Sequence, residues 1–220
     1  MVHIHSLIRR IAPHLVPTAL ALIFAACAWE VSEGHPLAID RLAASLASAI
    51  PAALAVPLGQ ALSNLPFVAA PIILLVLLLQ RRRREAALVT GATVSALASA
   101  EILKLVFLRP RPEMMLVAAT DASFPSGHTT TAFALATICA LIWMQQHAGR
   151  RRLVPALLVA SAVLVGMGRI ILGVHFASDV IAGAALGTLV SWICWQLFAG
   201  VGAQAAAPIR TRQKGHAWSA

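Results

Sequence analysis

Three short stretches of this chain hold residue types that could do chemistry together: KLVFLRPRP at 104–112, SFPSGHTTT at 123–131 and GRIILGVHFASD at 168–179. In the first, Lys104 and Arg111 are seven residues apart and share a face if a helix continues through both, which Pro110 opposes. Arg109 falls on another face and reads as an anchor that snorkels to a membrane interface. Glu101, one turn before Lys104, is placed to neutralise it. In the second, Ser126 reads as a helix N-cap, so residues 126–128 present N–H groups at a helix N-terminus, which attracts anions. The bland reading of the same stretch is a Pro-Ser-Gly turn that starts a helix, with His128 merely following. In the third, Arg169 precedes His175 by six residues across a turn carrying Gly173, and its guanidinium fork suits phosphate oxygens. Asp179, four residues after His175 and so its neighbour on a helical face, is placed to fix the ring tautomer and stabilise the imidazolium.

Taken together the three stretches supply the cations Lys104, Arg111 and Arg169, amide donors around Ser126 and Gly127, and the imidazoles of His128 and His175. That inventory suits a multiply charged oxyanion, and phosphate is the natural candidate. Two histidines are what phosphoryl transfer asks for: a nucleophile, and an acid for the leaving oxygen.

The elements that must position these residues are membrane spans. Of the 220 residues, 60% are hydrophobic and 11% charged, with a mean hydropathy of +0.83. Soluble domains carry roughly 25% charge, so lipid is the solvent implied. The 17 Lys and Arg outnumber the 8 acids, but they fall in short clusters between apolar runs, which fits topology control and not a nucleic-acid surface. Cys27, Cys139 and Cys194 lie within apolar runs, with no zinc or disulfide spacing.

A window of about 20 apolar residues finds spans near 11–29, ending at Gln80, near 86–108, 128–146, 153–172 and 176–199. The fold class expected is therefore all-α: an integral membrane bundle of six transmembrane helices forming a single domain over 1–220. Arg9-Arg10, Arg81 to Arg84, Arg150 to Arg152, and Arg210, Arg212 and Lys214 then fall on one side, the cytoplasm by the positive-inside rule. The tails 1–10 and 208–220 are cytoplasmic on this reading, and the three motif stretches meet on the opposite face. The first run also has the shape of a secretory signal, but it is long for one and cleavage would spoil the even count. In the outer segment 30–62, Leu37, Leu42, Leu46 and Ile50 recur at helical spacing, with Asp40, Arg41, Ser45 and Ser48 off the stripe. This predicts a short amphipathic helix on the outer membrane surface, the alternative being a packed loop.

At the three stretches the sequence resembles the type 2 phosphatidic acid phosphatase family of membrane lipid phosphatases, kin to vanadium haloperoxidases. The family's motifs K-x6-RP, PSGH and SR-x5-H-x3-D read here as Lys104, Arg111 and Pro112; Pro125, Ser126, Gly127 and His128; and Arg169, His175 and Asp179. Gly168 stands where the family usually has serine. The resemblance implies that His175 attacks phosphorus to form a phosphohistidine, that Asp179 orients it and that His128 protonates the leaving group. It assigns Lys104, Arg111, Ser126, Gly127 and Arg169 to the phosphate oxygens, with no metal or other cofactor. The partners implied are a lipid phosphate or diphosphate and the surrounding membrane lipids, with no nucleic acid. By analogy the substrate ranked first is undecaprenyl diphosphate, ahead of phosphatidylglycerol phosphate and phosphatidic acid, at the periplasmic face of a bacterial inner membrane. A lipid A 1-phosphatase or a lipid phosphotransferase would use the same residues. A non-enzymatic transporter would show inverted repeats or mid-span polar residues, which this sequence lacks.

Overall fold

In hydrocarbon a chain must satisfy its backbone donors and acceptors within each segment, so apolar runs of this length fold as helices. A computed structural model describes residues 2–34, 36–147 and 152–205, with side chains over 14–34, 36–147 and 152–198. The described residues form seven helices: α1 (Val2–Ser32), α2 (Ala38–Ser48), α3 (Ala52–Leu79), α4 (Arg83–Phe107), α5 (Gly127–Gln146), α6 (Leu153–Ile171) and α7 (Ala177–Ala205). All but α2 are long and apolar enough to cross a membrane. Leu79 and Leu105 are 75% and 76% exposed, a surface that water would penalise and lipid accepts. The chain is a multi-pass, all-helical membrane protein.

The centre of the bundle is α5, with 61% of its apolar window buried, more than any other span. It packs against α4, α6 and α7. Small residues make this contact close: a Cβ on Gly187 of α7 would run into the Thr130 carbonyl of α5. Helices α4 and α6 both run toward the end of the bundle where the motif connections lie, and the Arg81 to Arg84 turn sits at their opposite end. Of the other cationic clusters, Arg150, Arg151, Arg210, Arg212 and Lys214 lie outside the described residues, as does the tail 208–220.

Two expectations change. Helix α3 begins at Ala52, not near residue 63, because Pro57 and Pro66 sit inside it, which membrane helices tolerate. The outer segment is correspondingly shorter, with α2 as its one helix among the described residues. Leu42 and Leu46 of α2 are 59% and 65% exposed, as a lipid-facing stripe requires. Asp40, expected off the stripe in solvent, is instead turned inward and buried.

Candidate active site

Helix α4 stops at Phe107, and Leu108 takes the left-handed conformation (φ 46°) that reverses the chain ahead of Pro110. Lys104 and Arg111 therefore do not share a helix face, as the seven-residue spacing suggested they could. The connection folds back and brings them together around a residue the sequence reading missed. Asp121 accepts from Lys104 Nζ at 2.6 Å and from Arg111 Nη2 at 2.7 Å. Glu101 accepts from Lys104 Nζ at 2.8 Å, the neutralising role its spacing predicted.

These groups line a cavity of about 460 Å³ together with Gly127, His128, Arg169 and His175. All three stretches thus meet in one space. Arg169 reaches it from the last turn of α6, and its Nε is buried with no hydrogen-bond partner. The turn between Arg169 and His175 needs glycine at 173: φ is +66°, and a Cβ would collide with the Met114 carbonyl. Gly168, the departure from the motif, lies at a close crossing of α3 and α6. A Cβ there would come within 2.9 Å of the Gly59 carbonyl and of Leu62 Cβ, and 3.0 Å of Ser63 Oγ.

His175 stands just before α7, so it and Asp179 are not two positions on one helix face. Its ring is fixed chemically at both nitrogens. Nδ1 lies 2.8 Å from the Ser123 carbonyl, which only accepts, so Nδ1 carries the proton. Nε2 lies 3.4 Å from Arg111 Nη1, which only donates, so Nε2 keeps its lone pair in the cavity. Ser123 is itself held by Arg109 and Pro110 carbonyls. Asp179 is the more distant partner of Nδ1, at 3.4 Å. Burial pushes His175 below the ordinary imidazole range; Asp179 pulls it upward, and Arg111 and Arg169 add to the depression. Asp121 goes the other way from its burial. Desolvation opposes its charge, but the hydrogen bonds and charges of Lys104 and Arg111 prevail and hold it well below the usual carboxylate range.

Arg109 corrects the snorkelling expectation. It is buried, with Nη1 on Asp179 Oδ1 at 2.5 Å and on Ser178 Oγ at 2.8 Å, and Nη2 on Asp40 Oδ2 at 3.1 Å. Its guanidinium also covers the Phe176 ring at 4.0 Å. Ser126 is the N-cap residue of α5, as its position predicted, but its N–H is spent on the Asp179 carbonyl at 3.1 Å and its Oγ pairs with Thr129 Oγ1 at 3.0 Å. Ser126 does not line the cavity, whereas Gly127 and His128 in the first turn of α5 do. His128 meets Phe67 of α3 edge-on at 4.9 Å between centroids. Among the described residues no group of three or more His, Cys, Asp or Glu is placed to hold a metal ion.

A second, larger cavity of about 810 Å³ lies beneath α2, between it, the 107–116 connection and the end of α6. Apolar and small residues dominate its wall, and it shares Arg111 and His175 with the first.

Three cations, two imidazoles and the start of α5 thus surround one cavity in a bundle of span-length helices. The chain belongs to the PAP2 superfamily, whose family model matches residues 85–202. It is 35% identical over 100 residues to phosphatidylglycerophosphatase B of Bacillus subtilis (strain 168), covering 42% of this chain and 48% of that protein. Over 80 residues it is 38% identical to lipid A 1-phosphatase of Rhizobium johnstonii, covering 36% of this chain and 30% of that one. The matched stretches thus span about half or less of these relatives. Among solved structures, the first transmembrane PAP2 type phosphatidylglycerolphosphate phosphatase from Bacillus subtilis superposes with a TM-score of 0.69 at 24% identity, over 88% of this chain and 98% of that one. Aquifex aeolicus LpxE gives 0.57 at 27% identity, over 71% and 93%.

Proposed function

We propose that this chain is a membrane lipid phosphatase that removes a terminal phosphate through a phosphohistidine on His175. The observation that carries the reading is the single cavity uniting Lys104, Arg111, Arg169, Gly127, His128 and His175. Substrate phosphate takes the place of the Asp121 carboxylate between Lys104 and Arg111, and Arg169 supplies the third cation. The first-turn N–H groups of α5 at Gly127 and His128 point donors and a helix dipole at the same oxygens.

The lone pair of His175 Nε2 forms the bond to phosphorus as the bond from phosphorus to the lipid oxygen breaks. His128 gives that oxygen its proton. A water then attacks phosphorus, the P–N bond breaks back to Nε2, and His128, now neutral, takes the water's proton. Charge accumulating on the transferred group is met by the cations and amides throughout. Asp179 and the Ser123 carbonyl hold the Nδ1 proton, so the attacking nitrogen stays free. Ser126 supports this machinery from outside the cavity by tying the start of α5 to the start of α7.

The apolar second cavity favours a lipid over a soluble phosphate ester, because a chain lying in it keeps its head group beside Arg111 and His175. The arginine-rich turn at the far end of the bundle supports an outward-facing site, periplasmic in a bacterial inner membrane with both termini cytoplasmic. Relatives named for phosphatidylglycerophosphate and for lipid A shift the favoured head groups toward these phosphomonoesters and away from undecaprenyl diphosphate, the one first ranked. The test is phosphate release by purified protein from phosphatidylglycerophosphate, lipid A, phosphatidic acid and undecaprenyl diphosphate, with no acceptor lipid present. Release from at least one, abolished by His175→Ala in a folded protein, is expected. No free phosphate, with the phosphoryl group appearing instead on an added acceptor lipid, would make the chain a phosphotransferase.

A further inference from the structure

We infer that Asp40, on the outer helix α2, is a positioning residue for the chemistry at His175, acting through Arg109, Ser178 and Asp179. The inference rests on the phosphatase reading above. Asp40 lies 139 positions before Asp179 in sequence, yet the two carboxylates grip one buried guanidinium. Asp40 Oδ2 accepts from Arg109 Nη2 at 3.1 Å and from Ser178 Oγ at 2.9 Å, and Oδ1 accepts from the Ser178 N–H at 2.8 Å. Arg109 Nη1 continues to Ser178 Oγ and to Asp179 Oδ1. The other oxygen of Asp179 accepts the Phe176 N–H at 2.9 Å and faces His175 Nδ1. The side chains of Asp40 and Asp179 are fully buried, and Arg109 is 8% exposed.

Both oxygens of each carboxylate and both terminal nitrogens of Arg109 therefore have partners inside the protein, so removing one charge redistributes the contacts of the others. Asp40 lines the second cavity but not the first, so it touches neither the transferred phosphate nor the nucleophile. What it controls is where Arg109 sits, hence which way Asp179 presents its carboxylate and where residues 175–178 lie. Without Asp40, Arg109 is free to turn wholly onto Asp179, and the imidazole loses its defined seat. A shift of about 1 Å in a reacting group costs up to a hundredfold.

The experiment uses two oxyanions on the full-length protein in detergent micelles, read by isothermal titration. Orthovanadate accepts a coordinate bond from the Nε2 lone pair and so senses the position of His175. Inorganic phosphate senses only the cations and amides of the cavity. Asp40→Asn is expected to weaken vanadate roughly tenfold or more and to leave phosphate within about twofold. Ser178→Ala, a milder change that loses only the hydroxyl joining Asp40 to Arg109, is expected to weaken vanadate about threefold, and it decides the matter if Asp40→Asn does not fold. Unchanged vanadate affinity in both variants overturns the inference, and so does equal loss for vanadate and phosphate, which would mean general damage. His175→Ala is run beside them: if it leaves vanadate affinity intact, the nucleophile assignment itself fails, independently of Asp40.

Discussion

Replacing Asp121 by asparagine should make the protein a better binder of phosphate. In the resting site the Asp121 carboxylate occupies the space between Lys104 and Arg111 that the proposed substrate needs, with contacts of 2.6 and 2.7 Å. Its own side chain is 49% exposed, so each pair is discounted for solvent screening and falls in the range of about 0.2–1 kcal/mol. The cations, at 9% and 7% exposure, place both contacts toward the upper end. Losing about 1–2 kcal/mol of competition corresponds to roughly five- to thirtyfold tighter binding. Asparagine keeps the shape and one acceptor oxygen but removes the charge, leaving the three cations facing Glu101 alone. Because Lys104 and Arg111 keep the carboxyl ionised far into acid, lowering the pH does not mimic the substitution. The assay is competitive inhibition of lipid turnover by inorganic phosphate at fixed ionic strength. A Ki that falls about five- to thirtyfold agrees. A Ki that stays the same or rises would mean that Asp121 arranges the cations for substrate and does not compete with it, and the reasoning fails.

Two further outcomes follow from the geometry. Gly168→Ser restores the residue usual in the motif but puts a Cβ 2.9 Å from the α3 backbone, so it should destabilise by about 1–3 kcal/mol. Thermal unfolding in detergent reads this as a midpoint lower by several degrees, and an unchanged or higher midpoint contradicts the close crossing. His175, pushed below 6.5 mainly by burial, should be neutral in the free protein at pH 7 and gain its proton only as pH falls below that value. Nitrogen NMR of histidine-labelled protein, assigned by loss of the signal in His175→Gln, checks this; a midpoint above 6.5 would mean that Asp179 outweighs desolvation.

The motif residues were legible because their chemistry restricts them to few types, and because cations away from the arginine-rich side have no topological reason to exist. Six spans followed from apolar length alone. What escaped was whatever depended on the reversal after Phe107. Helical spacing treated 104–111 as one helix, so Arg109 was set on an outer face, whereas the turn at Leu108 sends it inward. Its partners Asp40 and Asp179 are 69 and 70 residues away, with no periodic signal to link them. Asp121 was overlooked as a loop residue, although in a chain with 8 acids one lying between two cationic motifs is itself a signal. The start of α3 was misplaced because its fully apolar run is short and Asn64 and Pro66 stand where an outer end would fall, yet the helix continues through Pro66 and Pro57, as neighbouring helices and lipid allow. Ser126 was legible as the N-cap of α5, but only the packing of α5 on α7 reveals that its N–H is already used.

The central claim is a covalent bond between phosphorus and His175, and rapid acid-free quenching of the protein during turnover of a phosphate-labelled lipid tests it most directly. The account predicts a base-stable, acid-labile label on the peptide carrying His175, absent from His175→Ala. Turnover with the label on another residue, or undiminished turnover by His175→Ala, would contradict it.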